Sequence, residues 1–234
     1  MEKIKEEVPE KLRIAVLLSF ISGYINAFTY NNAGELFAGA QTGNVIFMAL
    51  HFAKGNLEKA VEFLIPIISF MIGQIFIYCF RNFFQRRGHK GYIHSSLLML
   101  FIMIMLIVLL PFFDYHFIVV TLAFFAAIQS DTFQRLRGFS YATIMMTGNV
   151  KNAPRLLIEG LVQRDRELLV RGFLLFLIIF SFVIGVGIST YFTQFVKKSA
   201  LVPLIIPLSY INYVLFKEEH SVIDVVKSKI RKIK

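Results

Sequence analysis

The tripeptide Thr-Gly-Asn occurs twice in the chain, as Thr42-Gly43-Asn44 and as Thr147-Gly148-Asn149, each time inside an apolar stretch. Glycine destabilises a helix interior by about 1 kcal/mol relative to alanine, and threonine and asparagine can hydrogen-bond backbone groups that a helix break leaves free. Irregular backbone within a membrane is tolerated where protein buries it or where it lines a watery cavity. We therefore expect the two copies to form the walls of one polar site for a small solute or ion. The alternative is that they are close packing contacts between helices.

Asp131 is the carboxylate that lies deepest within an apolar stretch. An acidic side chain inside a membrane costs about 3 kcal/mol on insertion scales and is a functional candidate by default. Gln129 lies just before it, and Asn26 lies 105 positions earlier, at the matching place in the first half of the chain. These three residues complete the predicted substrate- or ion-binding set, in which Asp131 carries a coupling proton. The alternative is an ion pair between Asp131 and Arg135, one helical turn later.

Residue types that carry enzymatic chemistry are scarce or scattered. The five histidines show no metal-ligand spacing, and the single cysteine, Cys79, cannot form a disulfide or a thiolate metal site within the chain. The sequence contains no Gly-x-x-x-x-Gly-Lys-Ser/Thr loop for nucleotide phosphates and no nucleophile elbow. It therefore predicts no enzyme, no cofactor and no metal.

Composition places these residues in a membrane protein. Of the 234 residues, 56% are hydrophobic and 17% are charged, whereas a soluble domain carries about 25% charged residues. A chain of this length has too little interior to hide so much apolar surface, so much of it must face lipid. The net charge of +10 comes from basic residues between apolar runs, which the positive-inside rule explains better than nucleic-acid binding. We predict one multi-pass domain over 1–234 in the cell membrane, with both termini cytoplasmic. Its partners are the lipid bilayer and a small solute or ion, not nucleic acid, and a homo-oligomer fits the same pattern.

Eight stretches are apolar enough to enter a membrane. A spanning helix needs about 20 mostly apolar residues, and six stretches meet that condition loosely: 12–30, 61–80, 95–113, 117–134, 168–192 and 200–216. Two more, 36–53 and 140–158, contain the Thr-Gly-Asn copies and are interrupted by polar and small residues. The predicted fold is an all-α transmembrane helix bundle. It has either eight spans, or six spans plus two interrupted segments that are re-entrant or broken.

The chain also repeats itself. Besides the Thr-Gly-Asn copies, the run from Ser69 to Gly73 recurs as the run from Ser181 to Gly185. The offset rises from 105 to 112 positions, which an insertion near 164–166 explains. These matches predict two repeats, about 12–113 and about 117–216, followed by a basic tail at 217–234. Because Ser69, Gly73, Ser181 and Gly185 are small residues four positions apart in pairs, we expect them to form helix-packing seams.

The positions of lysine and arginine favour one of the two topologies. If all eight stretches span, the basic loop that contains Arg86 and Arg87 lies outside the cell. If the Thr-Gly-Asn stretches enter and return on the same side, the lysines and arginines outside are Lys54, Lys59, Lys197 and Lys198. The second arrangement obeys the positive-inside rule better. It also inverts the two repeats relative to each other, with three spans in each.

Several short motifs in a fixed order resemble a known family. They are Ser22-Gly23-Tyr24-Ile25-Asn26-Ala27, Phe37, Thr42-Gly43-Asn44, Ser69-Phe70-x-x-Gly73, Ile128-Gln129 and Thr147-Gly148. Over roughly residues 12–216 the chain resembles the YoaK-like family of small bacterial membrane proteins. The resemblance implies about six membrane helices and a domain of unknown function. That family usually has Asp where this chain has Asn26, and Gln-Asn-Ala where it has Gln129-Ser130-Asp131, so the acid has moved from one half to the other.

Internal repeats are a signature of many transporter and channel folds. We therefore expect a secondary transporter or channel for a small solute, with its site between the two repeats. The alternative is a non-catalytic structural or accessory membrane protein, in which the polar residues are packing contacts. A transporter needs a polar cavity near the midplane, whereas a scaffold is packed dry there.

Overall fold

Helices account for nearly all of the described chain, and the predicted all-α fold is confirmed. The computed structural model describes residues 8–217. Its helices are α1 (Leu12–Asn32), α2 (Gln41–Ala53), α3 (Leu57–Arg86), α4 (Gly91–Leu109), α5 (Tyr115–Thr132), α6 (Met146–Gln163) and α7 (Arg166–Val196). Turns of 3-10 helix over Lys197–Leu204 lead to a last helical segment, α8, at 205–217. The other elements are a 3-10 turn at Val8–Glu10 and a hairpin of two short strands, β1 (Arg135–Leu136) and β2 (Phe139–Ser140).

Membrane embedding follows from the length and apolar composition of these helices. Four helical stretches are long and apolar enough to cross a membrane: Leu12–Asn32, Leu57–Arg86, Gly91–Leu109 and Arg166–Lys217. The last stretch contains both α7 and α8, which are separated at Lys197, where the backbone takes a positive φ of 46°. With 13 residues, α2 is about 20 Å long, shorter than the hydrocarbon core of about 30 Å.

The predicted stretches each contain a helix, although the boundaries differ. Stretches 36–53 and 140–158 each form a loop followed by a short helix, which begins at Gln41 in the first and at Met146 in the second. Stretch 61–80 extends in both directions to Leu57–Arg86. The predicted basic tail, apart from Lys217, lies outside the described residues.

Three helices begin at a polar side chain that accepts a backbone hydrogen bond. Asn56, Asp114 and Asp165 accept from N–H groups in the first turns of α3, α5 and α7, at 3.1, 3.1 and 2.8 Å. Such caps satisfy N–H groups that have no partner within the helix. The N–H of Phe117 is also the main reason why the pKa of Asp114 lies below its ordinary value.

Helices α1 and α7 pack side by side and run parallel. The Ser181 hydroxyl donates to the backbone oxygen of Val16 at 2.7 Å, near the start of α1. The Asn31 amide donates to the Thr190 hydroxyl at 3.1 Å, near its end. Since the contact positions increase together along both helices, the two helices run in the same direction.

Helices α3 and α5 make the second parallel pair. The Ser69 hydroxyl donates to the backbone oxygen of Val120 at 2.7 Å. Three turns later, the Arg81 guanidinium donates to the backbone oxygen of Asp131 at 2.8 Å. This pair also joins one helix from each half of the chain.

The two pairs are antiparallel to each other because α1 opposes α5. The Arg137 N–H, just after α5, donates to the Glu10 oxygen just before α1, at 3.1 Å. Further along, the Gln129 amide donates to the Leu18 oxygen at 3.0 Å. The start of α1 therefore lies beside the end of α5.

This arrangement sends both Thr-Gly-Asn segments back to the end of the molecule from which they leave. Leu36, Phe63 and Val119 form one buried cluster, which joins the loop after α1 to the starts of α3 and α5. The segment 33–56 therefore begins and finishes at that end. At the other end of the molecule, α5 finishes and α7 begins, so segment 133–165 likewise begins and finishes at a single end.

Basic residues are concentrated at one of the two ends. The end that contains the start of α1 and the ends of α3 and α5, called here the basic end, carries Arg81, Arg86, Arg87, Arg135, Arg137, Arg164 and Arg166. The opposite end carries Lys54, Lys59, Lys197 and Lys198. Lys198 donates to the Phe113 oxygen at 2.5 Å, and the Asn212 amide donates to the Ser96 oxygen at 3.3 Å. Helix α8 therefore runs antiparallel to α4 and finishes at the basic end.

Candidate functional site

The asparagine of each Thr-Gly-Asn copy holds the loop that precedes its own helix. Asn44 accepts from the Phe37 N–H at 2.9 Å and donates to the Phe37 oxygen at 2.8 Å. Asn149 accepts from the Ala142 N–H at 3.1 Å and donates to the Ala142 oxygen at 2.7 Å. Both side chains are buried. The two contacts are the same, 105 positions apart, and each satisfies backbone groups that have left the helix.

The two loops meet each other at Gly39 and Ile144. A Cβ atom on Gly39 would overlap Cγ2 of Ile144 and would lie 3.3 Å from Nδ2 of Asn26 and 3.5 Å from Cβ of Ala126. Glycine is therefore required at position 39 by the close approach of the second loop. The contact joins the loop after α1 to the loop after α5, and both residues are buried.

Asn26 anchors the first loop to α1. Its side-chain oxygen accepts from the N–H groups of Gly39 and Ala40 at 2.9 and 3.0 Å, and its amide donates to the Ser22 oxygen at 2.8 Å. The side chain is buried, and both its oxygen and its nitrogen have hydrogen-bond partners. Asn26 thus fixes the position of the loop before α2, and with it the contact between the two loops.

Gln129 lies between α1 and α5. Its amide nitrogen donates to the Leu18 oxygen at 3.0 Å and to the Ser22 hydroxyl at 2.7 Å. Its oxygen is buried and has no hydrogen-bond partner among the described residues. Ser22 contacts both Asn26 and Gln129, so these two predicted site residues belong to one polar cluster.

The threonines and glycines of the two tripeptides differ from the asparagines in their placement. Thr42 and Thr147 are exposed and lie away from the contact between the loops. A Cβ on Gly43 would lie 2.8 Å from the Phe37 ring, whereas a Cβ on Gly148 would meet nothing within 4 Å. A side chain at position 43 would therefore displace the Phe37 ring, whereas one at position 148 would meet open space.

Asp131 forms an ion pair with Arg81 rather than with Arg135. Oδ2 of Asp131 lies 2.7 Å from Nη1 of Arg81, which also donates to the Asp131 backbone oxygen at 2.8 Å. The alternative partner proposed from the sequence is therefore wrong. Arg81 follows the apolar stretch 61–80 directly, and the parallel packing of α3 and α5 brings it to the end of α5.

A polar cavity of about 190 Å³ surrounds this ion pair at the basic end. Its lining residues are Pro9, Glu10, Arg81, Tyr92, Asp131, Thr132, Phe133, Gln134 and Arg135. Of the nine predicted site residues, Asp131 alone lines it. The structure thus places Asn26 and Gln129 in a polar cluster at the loop contact and Asp131 in an ion pair near the basic end, whereas Thr42 and Thr147 are exposed and belong to neither.

The four small residues predicted as packing seams lie at the two parallel helix pairs. Ser69 and Ser181 donate across these pairs, each at 2.7 Å. A Cβ on Gly73 would lie 3.2 Å from the Phe124 oxygen, and a Cβ on Gly185 would overlap the Phe20 oxygen. The helix backbones therefore approach closely at both glycines.

A protein-family model matches most of the chain. Residues 14–213 match the model of a family described as Protein of unknown function (DUF1275). The chain belongs to this family. The match agrees with the resemblance to the YoaK-like family and confirms it. No curated protein and no solved structure matches the chain.

The candidate site residues of this DUF1275 protein offer hydrogen-bonding groups and the ion pair between Arg81 and Asp131. Within residues 8–217, no group of three or more His, Cys, Asp or Glu side chains is placed to hold a metal ion. At the loop contact, Asn26 is bonded to backbone groups, and the side-chain oxygen of Gln129 has no partner among the described residues.

Proposed function

We propose that this chain is a secondary transporter or channel for a small solute, with its site between two inverted repeats. The contact between the loops at Gly39 and Ile144 carries the proposal. Transporter sites are typically formed near the midplane by discontinuous helices from the two repeats. Here α2 and α6, of 13 and 18 residues, each begin next to that contact.

Matched contacts in the two halves support the duplication. Asn44 and Asn149 make the same pair of hydrogen bonds to their own loops. Ser69 contacts Val120 in the same way as Ser181 contacts Val16. Since α1 opposes α5 in direction, the halves of this proposed duplication are inverted.

The proposed topology has six spans and two re-entrant segments. Segments 33–56 and 133–165 each begin and finish at one end, which supports re-entry rather than crossing. By the positive-inside rule, the basic end faces the cytoplasm, so both Leu12 and Lys217 lie near the cytoplasmic surface. We place the protein in the cell membrane on the same argument.

A solute would cross where the two loops separate. The helix dipoles of α2 and α6 direct their positive ends towards the loop contact, and Asn26 and Gln129 supply amide groups beside it. Rocking of one repeat against the other would open the contact to each side in turn. In this mechanism Asp131 carries the coupling proton, and its ion pair with Arg81 responds to protonation.

Swelling of proteoliposomes tests the proposal without knowledge of the natural solute. Full-length protein is reconstituted, and the rate of swelling is measured with urea, glycerol, sodium acetate or potassium chloride as the permeating solute. We expect at least one solute to enter faster than it enters protein-free liposomes. Gly39→Val should abolish that increase because it overfills the loop contact. Gly148→Ala adds a methyl group in open space and should leave the increase unchanged.

A structural or accessory role is the second candidate, and the tight loop contact favours it. The loops touch directly, and Asn26, Asn44 and Asn149 are all engaged with backbone groups. A scaffold would show no protein-dependent entry of any of the four solutes. It would also show no change in swelling for Ile144→Ala, which opens space at the contact.

A further inference from the structure

The exposed face of α6 carries cations where the matching helix of the first half carries apolar side chains. Lys151 and Arg155 lie one turn apart on this face, and both are exposed. The residues 105 positions earlier, in α2, are Ile46 and Leu50, which are exposed as well. The two helices follow the same asparagine contact with their loops, but their exposed faces differ in charge.

The opposite side of α6 is covered by α7. Ala153 and Gly160 are buried, and a Cβ atom on Gly172 of α7 would lie 3.0 Å from the backbone oxygen of Ala153. Successive residues of a helix are about 100° apart, so Ala153 and Gly160 lie on the side of α6 away from Lys151. The exposed face is therefore the one that meets the surroundings of the protein.

The charge of this face is not neutralised by its neighbours. Lys151 makes no ion pair within the part of the chain that the structure describes. Nε of Arg155 lies 3.9 Å from the Glu159 carboxylate, with the arginine side chain 66% exposed, and an exposed pair at that distance contributes little. The face therefore offers positive charge to a partner.

The contact at Ala153 also gives the level of these cations along the bundle. Gly172 precedes Ile178 by as many residues as Arg13 precedes Ser19. The Ser19 hydroxyl donates to the Ile178 oxygen at 3.1 Å, and α1 and α7 run parallel. Ala153, which contacts Gly172, therefore lies near the level at which α1 begins.

We propose that the exposed face of α6 binds the headgroup of an anionic phospholipid through Lys151 and Arg155. The two cations flank Ala153, so they lie near the start of α1, which the proposed topology puts at the cytoplasmic surface. Basic side chains at that surface attract anionic lipids, and their long stems cover apolar surface while the charged ends reach the headgroups. The site is separate from the loop contact, and it stands whether or not the protein transports.

Quenching of a single tryptophan by brominated lipids tests this site. The chain contains no tryptophan, so Val150→Trp in the full-length protein reports on this face alone. Val45→Trp is the matched reporter on α2, since the two valines are 105 positions apart and are 55% and 45% exposed. Each variant is placed in nanodiscs of phosphatidylcholine and phosphatidylglycerol, in which one lipid or the other carries bromine on its acyl chains. The ratio of the two quenching levels gives the relative affinity of the two lipids beside the reporter.

We expect phosphatidylglycerol to be favoured about fivefold at Val150→Trp and not to be favoured at Val45→Trp. Replacing both cations, by Lys151→Gln and Arg155→Gln, should bring the preference at Val150→Trp close to one. High salt should lower it, because salt screens exposed charges. Lys54→Gln, which removes an exposed lysine at the end of α2, is the control substitution and should leave the preference unchanged.

Equal quenching by the two brominated lipids at Val150→Trp would overturn the proposal, and so would a preference that survives the loss of both cations. Weak quenching by both lipids would show that protein, such as a second copy of the chain, covers this face, and would overturn the proposal as well. Ile158→Trp is a second reporter on the same face, where Ile158 is 62% exposed. It replaces Val150→Trp if that variant melts below the wild type.

Discussion

Gly39 and Ile144 are in contact although they lie 105 positions apart, and they occupy the same place in the loops before α2 and α6. The contact is close enough that a methyl group at position 39 would overlap the isoleucine. It joins two segments that each enter the bundle and return. The stability of the inner part of the fold should therefore depend on the combined volume of the two side chains.

We expect Gly39→Ala to lower the melting temperature in detergent, because overpacking a filled site costs about 1–3 kcal/mol. Ile144→Ala alone should also lower it, because it leaves a cavity at a buried site. The double variant should lose less than the sum of the two single losses, since the methyl group added at position 39 occupies part of that cavity. A double-mutant cycle measures this coupling. Independent effects of the two substitutions would show that the loops do not touch in solution. Gly148→Ala is the control.

The two asparagines of the Thr-Gly-Asn copies should contribute equally to stability. Asn44→Ala and Asn149→Ala each remove two hydrogen bonds to a partly buried loop residue, Phe37 or Ala142, at a cost of about 1–3 kcal/mol. Thr42→Ala and Thr147→Ala should change stability by about 0.5 kcal/mol or less, because both side chains are exposed. Thermal unfolding of the four variants decides this. If the threonine variants lost more stability than the asparagine variants, the hydrogen bonds from Asn44 and Asn149 to their loops would not be the stabilising contacts.

How far the sequence predicts this arrangement depends on the range of each interaction. The apolar stretches locate the helices, since hydropathy is a local property. The Thr-Gly-Asn copies are predicted to mark helix breaks, but they lie in the first turns of α2 and α6, directly after the breaks. The duplication of Thr-Gly-Asn marks two asparagines whose contacts are seven residues away. By contrast, the partner of Asp131 is 50 positions away, and only the parallel packing of α3 and α5 determines it. The importance of Gly39 is likewise invisible before the second loop is placed against it.

Asp131→Asn should leave the protein folded and inserted. The ion pair with Arg81 is partly exposed, with the two side chains 28% and 21% accessible, so its loss should cost about 1 kcal/mol or less. If Asp131 carries the coupling proton, flux driven by a pH gradient in proteoliposomes should disappear in this variant. Glu10, Arg81 and Arg135 also line the cavity, so Glu10→Gln is the comparison for a general electrostatic effect. Undiminished flux in Asp131→Asn would exclude Asp131 from the coupling step.

The cap at the start of α5 should make stability depend on pH. The Phe117 N–H holds the pKa of Asp114 below its ordinary value, with a further contribution from His116. A carboxyl group whose pKa is lowered by folding stabilises the fold above its unfolded pKa and loses that contribution as pH falls through its folded pKa. Asp114→Ala should therefore melt below the wild type at neutral pH, and the difference should shrink in acid. Asp114→Asn, which can still cap the helix, should show a smaller loss at neutral pH.

The proposed topology predicts the side from which single cysteines react. In a background where Cys79 is replaced by serine, Asn56→Cys and Arg87→Cys place one thiol at each end of the molecule. Asn56 lies between α2 and α3, and Arg87 follows α3. A membrane-impermeant maleimide added to intact cells should label position 56 but not position 87, and permeabilisation should expose position 87. The reverse pattern would contradict the proposed orientation, in which the basic end faces the cytoplasm.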